Sequence, residues 1–274
     1  MDPIMRKLPD FIRLPMSVVL IAWMIPHGLT RVRSSDDVVR LNPEKLRQHV
    51  FRLASDEFSG RRGEAGSKTV AYLENSFQRS GLKPAFENGF VQDVIHSANG
   101  QKIGRNVVAR LEGTDERLKS EWIIVSAHWD HLGTQGNSGE VFAGADDNAS
   151  GVAMLLETAA WFGRMENRPR RSMLFVAFDL EEFGLFGSRY FAANLPPEIS
   201  KIKLFITADM IGRSLSGICR EWVFVMGSER IPQSRDWLTK AQTGHPFRAG
   251  LLGTDLVGVR SDYGPFMTRK IPYL

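Results

Sequence analysis

Hydrophobic residues at helical spacing alternate along the chain with short, continuous apolar runs. A helix is predicted to begin at Asn42-Pro43, because asparagine caps helices and proline suits the first helical turn. Helical spacing also predicts helices over residues 67–79, 150–164, 185–194 and 232–243. The apolar runs predict strands over residues 90–95, 106–111, 122–127, 173–178, 204–208 and 222–226, with a further strand at 271–274.

Strands that alternate with helices predict a sheet that is covered by helices on both faces. Asn99-Gly100 lies between the first two strands and is typical of a hairpin turn, so the sheet should be mixed. The predicted fold is α/β, a three-layer α/β/α sandwich with a mixed, mostly parallel central sheet. Because the sequence shows no internal repeat and no shift in composition, residues 34–274 are predicted to form one domain.

The N-terminal segment has a pattern of its own. Arg6, Lys7 and Arg13 precede an apolar run at residues 14–25, which is short for a membrane span but suits a signal peptide. We expect residues 1–33 to be a signal peptide or a membrane anchor, and the protein to be secreted, periplasmic or membrane-anchored. The alternative is an apolar tail that packs on the domain.

Composition and charge change this picture little. Of the 274 residues, 43% are hydrophobic and 24% are charged, as in ordinary globular proteins, and the formal net charge is +4. Basic clusters at residues 61–62 and 168–171 are interpreted as solvated surface. Nucleic acid is not expected as a partner, because no basic stripe is interleaved with aromatic residues.

Histidine and carboxylate residues follow several of the predicted strands. His128 comes directly after the strand at 122–127, and the carboxyl ends of strands hold the ligands of open α/β sheets. A neutral imidazole at that place is a good zinc ligand. Asp130, two residues on, could orient its ring. Further on, Asp146-Asp147 lie in a loop of small residues, where two adjacent carboxylates repel each other unless a cation or hydrogen-bond donors neutralise them.

Two later strands end in carboxylates as well. Glu181-Glu182 follow the apolar strand at 173–178, and Asp209 follows the strand at 204–208. Adjacent carboxylates can divide the work, so that one binds a metal and the other acts as a general base. Each motif alone is also explained by an acidic turn or a helix cap. Their succession at strand ends predicts metal-assisted hydrolysis.

These motifs resemble the M28 family of zinc metallopeptidases, the co-catalytic di-zinc exopeptidases that include secreted bacterial aminopeptidases and glutamate carboxypeptidase. The resemblance covers residues 42–274. It is carried by His128-x-Asp130, the Gly-Ala-Asp-Asp-Asn-Ala-Ser-Gly run at 144–151, the Glu-Glu motif at 181–188 and Asp-Met-Ile-Gly at 209–212. Arg-Asn-Val-Val-Ala at 105–109 and Ser-Asp-Tyr-x-Pro-Phe at 261–266 add support.

The resemblance implies a role for each matching residue. Asp147 would bridge two zinc ions, and His128 and Asp209 would complete the coordination of opposite ions. Glu182 would bind the ion that lacks a histidine. Glu181 would be the general base for a zinc-bridged water. Asp130 would orient His128, whereas Asp146 would hold its loop and bind no metal.

The chain departs from the family pattern at one ligand. The pattern has a second histidine after the 261–266 motif, and the sequence given stops at Leu274 before reaching one. His245 lies too early to replace it, and His131 is expected to face solvent or to make only local contacts. We therefore expect a C-terminal part to be missing and fewer than two zinc ions to bind tightly.

The function that the resemblance implies is that of a zinc-dependent exopeptidase, in particular an aminopeptidase that acts on peptide or protein termini. One alternative is an acyl transferase like the glutaminyl cyclases, which share this fold and use one zinc ion. Another is a non-catalytic binding domain. Retention of Glu181-Glu182 and of the Asp146-Asp147 loop favours the peptidase.

Overall fold

The computed structural model describes residues 41–164, 168–214, 216–243 and 245–274. The strands are β1 (Lys83–Pro84), β2 (Val91–Ile95), β3 (Lys102–Leu111), β4 (Glu121–His128), β5 (Thr134–Gln135), β6 (Glu140–Val141), β7 (Ser172–Phe178), β8 (Lys201–Thr207), β9 (Trp222–Met226) and β10 (Arg248–Leu252). The helices are α1 (Pro43–Leu53), α2 (Glu64–Arg79), α3 (Gly151–Gly163), α4 (Phe186–Ala193), α5 (Ser234–Gln242), α6 (Thr254–Val257) and α7 (Gly264–Thr268).

The central sheet has the strand order β1–β3–β7–β4–β8, and β2 also pairs with β3. The three partners of β3 are antiparallel to it, whereas β4 is parallel to both β7 and β8. The predicted mixed sheet is confirmed, but three of the five strand pairings that its described residues form are antiparallel, so it is not mostly parallel. The predicted hairpin is the β2–β3 pair. The parallel half of the sheet matters most for function, because β4, β7 and β8 end at the same edge.

Helices cover both faces of this sheet, because successive side chains of a strand point to opposite sides. Val125 of β4 belongs to a core that includes Leu155 of α3. Its neighbour Ile124 belongs to a second core, with Phe191 of α4 and Phe266 of α7. All five side chains are fully buried, and each such burial stabilises the fold by about 1.5–3 kcal/mol. The α/β/α sandwich is therefore confirmed.

The predicted elements recur with shifted ends. Asn42 caps α1 by accepting a hydrogen bond from the backbone N–H of Glu44 at 2.9 Å. Strand β3 begins four residues before the predicted strand, because its first half pairs with β2. At the other end of the chain, Tyr273 lies beside Phe205 of β8 in a parallel bridge. The sequence did not predict β1, β5, β6 or β10, which are short or weakly apolar.

The predicted signal peptide or anchor at residues 1–33 lies outside the described residues. In the part of the chain that is described, no helix combines the length and the apolar character that crossing a bilayer requires.

Replacing Gly163 by alanine should destabilise the fold. A Cβ atom at this position would lie 1.8 Å from the backbone oxygen of Ser80, so α3 and the end of α2 would have to separate. We expect the free energy of unfolding to fall by about 1–3 kcal/mol, as for other overpacked cores, measured by urea denaturation. Gly253→Ala is the matched control, because its Cβ would meet nothing within 4 Å. Equal stability of the two variants would contradict this packing.

Candidate metal centre

The ends of three neighbouring strands form the candidate site. His128 is the last residue of β4 and lies in register with Phe178, the last residue of β7. Glu181 and Glu182 follow β7, and Asp209 follows β8, which pairs with β4 on its other side. Side chains from three strand ends, which are 27 to 81 residues apart in sequence, therefore lie at one edge of the sheet.

A first group of possible metal ligands consists of His128, Glu181 and Asp209. Each offers one ligand atom, and these atoms lie within 4.8 Å of one another. The Nε2 atom of His128 is 3.5 Å from an Oδ1 atom of Asp209. The structure thus brings together two residues that the resemblance assigned to opposite ions. They come together because β4 and β8 are adjacent and parallel.

A second group consists of His131, Asp147 and Glu182, with ligand atoms again within 4.8 Å. The Nδ1 atom of His131 lies 2.6 Å from Oε1 of Glu182, and the His131 side chain is only 12% exposed. The expectation that His131 faces solvent or makes only local contacts is wrong, since Glu182 is 51 residues away. Asp147 also lies 3.3 Å from Nε2 of His128, so it stands between the two groups.

Asp146 belongs to neither group, and its contacts suit the predicted role of holding the loop. Its carboxylate accepts hydrogen bonds from the backbone N–H of Gly212 at 2.8 Å and from Nε of Arg213 at 3.0 Å. The loop after β8 is thereby tied to the loop that carries Asp147. Asp146 therefore binds the neighbouring loop, whereas Asp147 lies among the possible metal ligands.

Asp130 connects the end of β4 to the Glu181-Glu182 turn. Its Oδ1 atom lies 3.5 Å from Nδ1 of His128. The same carboxylate accepts hydrogen bonds from the backbone N–H groups of Glu181 at 3.1 Å and Glu182 at 3.3 Å. At 2% exposure it is buried. Its position suits the predicted orienting role, and it also fixes the backbone of both glutamates.

Asp130→Asn should weaken metal binding without unfolding the protein. The amide keeps the shape of the side chain but loses the charge that faces His128 and the second acceptor oxygen. We expect zinc affinity to fall about 10–100-fold, the usual effect of removing an outer-shell partner, measured by competition with a chelator. Asp56→Asn, an exchange at an exposed position, is the control. Unchanged affinity in Asp130→Asn would contradict the orienting role.

Sequence reasoning missed Arg61, which it assigned to solvated surface. Arg61 is fully buried. Burial lowers the pKa of its guanidinium to about 10, against the opposing effect of Asp130, Asp147 and Glu182. Its hydrogen bonds go to backbone carbonyl oxygens on three separate segments, those of Leu53, Trp129, Ala143, Gly144 and Asp147, at 2.7–3.2 Å.

The site has a strong excess of negative charge around His128. Burial opposes the charged imidazolium, but Asp130, Asp147 and Asp209 outweigh it and raise the pKa of His128 well above its usual value. The carboxylates thus favour a positive charge at this point of the sheet. A metal cation would satisfy the same field in place of the proton.

Glu181 has a strongly raised pKa. Burial raises the pKa of its carboxyl to about 8, and the carboxylates of Asp262 and Asp209 add to the effect while His128 opposes it. A carboxyl group with a pKa near neutrality is suited to accept and return a proton. This agrees with the base role that the sequence resemblance implies for Glu181.

Zinc fits the residues of this site. Both ring nitrogens of His128 are buried and, among the described residues, have no hydrogen-bond partner. Buried polar atoms are normally satisfied, so an imidazole without a partner is a candidate for a metal ligand. Imidazole nitrogen and carboxylate oxygen are the ligands of catalytic zinc sites. The residues that would hold it are His128 and Asp209 of the first group, in which Glu181 is left as the base, and His131, Asp147 and Glu182 of the second.

The α/β/α fold and a histidine–carboxylate site at the strand ends define a metal-dependent hydrolase. A model of peptidase family M28 matches residues 106–274, which include every candidate metal ligand named above. The chain belongs to peptidase family M28. This membership places it among zinc-dependent metallopeptidases, which are hydrolases.

The chain is also similar to individual proteins and solved structures. Leupeptin-inactivating enzyme 1 of Streptomyces exfoliatus is 28% identical over 264 residues, which cover 93% of this chain and 53% of the relative. The chain thus spans about half the length of that protein. A crystal structure of a Zn-dependent exopeptidase from Parabacteroides distasonis superposes with a TM-score of 0.62 at 20% identity, over 86% of this chain and 84% of the other. Porphyromonas gingivalis glutaminyl cyclase superposes with a TM-score of 0.64 at 22% identity, over 85% and 82%. These two structures share the fold.

Proposed function

We propose that this protein is a zinc-dependent exopeptidase and, more specifically, an aminopeptidase. The observation that carries the proposal is the placement of Glu181. Its carboxyl, with a pKa raised to about 8, lies within 4.8 Å of ligand atoms of His128 and Asp209. A general base beside a set of zinc ligands is the arrangement that metal-assisted hydrolysis of a peptide bond requires.

Bound zinc would supply a Lewis acid that polarises the scissile carbonyl and lowers the pKa of water. The protein's own part begins with Glu181, which accepts a proton from the attacking water. Glu181 then returns this proton to the nitrogen of the leaving amine, so that the peptide bond breaks and the base is regenerated. Asp130 supports this geometry, because its carboxylate faces Nδ1 of His128 and accepts a hydrogen bond from the backbone N–H of Glu181.

The charge of the site supports removal of residues from the amino end. The carboxylates of Asp147, Glu181, Glu182 and Asp209 gather at one sheet edge, and a free α-amino group is positively charged. Any carboxylate charge that zinc leaves uncompensated would attract a substrate that presents its amino terminus. The expected partners are therefore the amino termini of peptides or proteins.

Peptides with matched sequences test the direction of cleavage. We expect a peptide with a free amino terminus to lose one residue at a time from that end, as mass spectrometry would show. Acetylation of the terminus should lower kcat/KM by about 10–100-fold, since it removes one charge-assisted contact. Residues released from the carboxyl end would contradict the aminopeptidase. A peptide with amino-terminal glutamine that cyclises instead of being shortened would favour the glutaminyl-cyclase alternative.

The proposed place of action is outside the cytosol or at a membrane, as residues 1–33 predict. Fusion of this segment to a reporter enzyme that is active only after export would test it. Reporter activity that disappears when residues 14–25 are deleted is the expected result.

A further inference from the structure

A cavity with a volume of about 390 Å³ is lined by residues of α1, α2 and α3. Its lining residues are different from those of the two groups of possible metal ligands. The lining side chains recur every three or four positions along a helix, as His49 does after Lys45 and Ser76 after Tyr72, so they face one side. Small-molecule sites have volumes of about 300–1,000 Å³, and this cavity is therefore large enough for an organic ligand.

The wall of this cavity contains a buried carboxylate, that of Glu157 of α3. The residue is only 7% exposed. Among the described residues, the one hydrogen-bond partner of its side chain is Nε2 of His49, at 3.4 Å. A carboxylate can accept several hydrogen bonds through its two oxygens, and buried polar groups are normally satisfied. Glu157 therefore has capacity for a further donor, which a ligand in the cavity would supply.

His49 and Tyr72 fix the position of this carboxylate. Nδ1 of His49 lies 2.6 Å from the hydroxyl oxygen of Tyr72, and the two rings meet edge to face with their centroids 5.9 Å apart. Burial raises the pKa of the Tyr72 hydroxyl, and the nearby charge of Arg79 opposes this effect. When the neutral hydroxyl donates to Nδ1, the ring proton is on Nε2, where it faces Glu157. Side chains of three helices thus hold the acid in place.

Three cationic side chains line the same cavity, one from each helix or from its end. They are Lys45 of α1, Arg79 of α2 and Arg164, which directly follows α3. Nε of Arg164 donates to the backbone oxygen of Ala160 at 2.9 Å. Ala160 is three residues after Glu157, a rise of about 4.5 Å along the helix. The cavity therefore presents a negative group and positive groups at a separation that suits one small molecule.

We propose that this cavity binds a small zwitterion of the α-amino acid class. The ammonium group would donate to Glu157, and the carboxylate would accept hydrogen bonds from the cationic side chains. An anion without an ammonium group would leave Glu157 without its donor, whereas a cation without a carboxylate would be repelled by the three cations. Leu156 and Ala160 add apolar surface to the wall, which suits an aliphatic side chain. This proposal goes beyond the peptidase function and does not depend on it.

Calorimetric titration of the zinc-loaded chain with L-leucine tests the proposal. Leucine offers both charged groups and an aliphatic side chain. N-acetyl-leucine lacks the ammonium charge, and leucinol lacks the carboxylate. Each analogue should bind this site about 10–100-fold more weakly than leucine, because it loses one charge-assisted contact.

Variants of the cavity separate binding there from binding at the strand-end site. Glu157→Gln and Arg79→Gln should each weaken the binding of leucine about 10–100-fold. Arg79 is exposed, so its exchange does not endanger the fold, and circular dichroism establishes that Glu157→Gln is folded. Arg117→Gln makes the same exchange at an exposed position outside the cavity and should bind leucine like the unaltered chain.

A local signal shows where leucine binds. The ring signals of His49 in a proton–nitrogen NMR spectrum, assigned by their loss in His49→Gln, should move when leucine is added. Leucine that does not bind, or that binds both cavity variants as tightly as Arg117→Gln and leaves these signals unmoved, would overturn the proposal. N-acetyl-leucine that binds the cavity as tightly as leucine would contradict the pairing of an ammonium group with Glu157. None of these results bears on turnover of peptides, which tests the proposed function separately.

Discussion

Glu181→Gln is expected to remove nearly all turnover of peptide substrates while zinc still binds. Glutamine has the shape of the glutamate side chain but cannot accept the proton of the attacking water. Loss of a positioned general base lowers kcat by about 10²–10⁴-fold. The change should appear in kcat more than in KM, because Glu181 acts on the proton that moves in the reaction and not on the resting substrate.

Glu116→Gln is the matched control for this experiment. It makes the same exchange at a glutamate whose side chain is 84% exposed and pairs only with Lys119 at the surface. Its kinetics should equal those of the unaltered protein. The two enzymes are compared at full zinc occupancy, verified by metal analysis. A Glu181→Gln variant that keeps both its zinc and its turnover would contradict the role of Glu181.

Arg61→Leu is expected to have the largest effect on stability. Leucine fills part of the volume but leaves the carbonyl oxygens of Leu53 and Trp129, whose contacts with the guanidinium are buried, without this donor. Each unsatisfied buried acceptor costs about 1–3 kcal/mol. For two such acceptors we expect the free energy of unfolding to fall by about 2–5 kcal/mol.

Urea denaturation of the metal-free protein measures this loss. Arg117→Leu, at an exposed position, removes the same charge and should change stability by less than about 0.5 kcal/mol. Arg61→Lys should recover only part of the loss, because an ammonium group cannot reach acceptors on three segments as the guanidinium fork does. Stability of Arg61→Leu equal to that of the control would show that the guanidinium is not needed to hold these segments.

The sequence predicted the parts of the site that sit at the ends of strands. His128, Glu181 and Asp209 each follow a continuous apolar run, and such runs in alternation with helices imply parallel strands that end together. Which of them share a group depends on which strands are neighbours. The order β7–β4–β8 is decided by packing of the whole sheet, and for this reason the pairing of His128 with Asp209 was not foreseen.

The positions of two residues near the site could not be predicted from the sequence. His131 follows Asp130 directly and resembles a polar loop residue, and its contact with Glu182 exists only once β4 and β7 are paired. Arg61 stands beside exposed Arg62, and two adjacent arginines usually mark solvated surface. The difference between them arises from tertiary structure, because the buried guanidinium meets carbonyls that lie 8 to 86 residues away.

Restoration of turnover by zinc is the measurement that tests the central claim most directly. The protein is stripped with a chelator, zinc is added in steps, and release of the amino-terminal residue from a peptide is followed alongside bound zinc. The account predicts no turnover in the stripped protein and a rate that rises with bound zinc until the ligand groups are filled. Turnover that persists without metal, or a zinc-loaded protein that releases no terminal residue from any peptide offered, would contradict it.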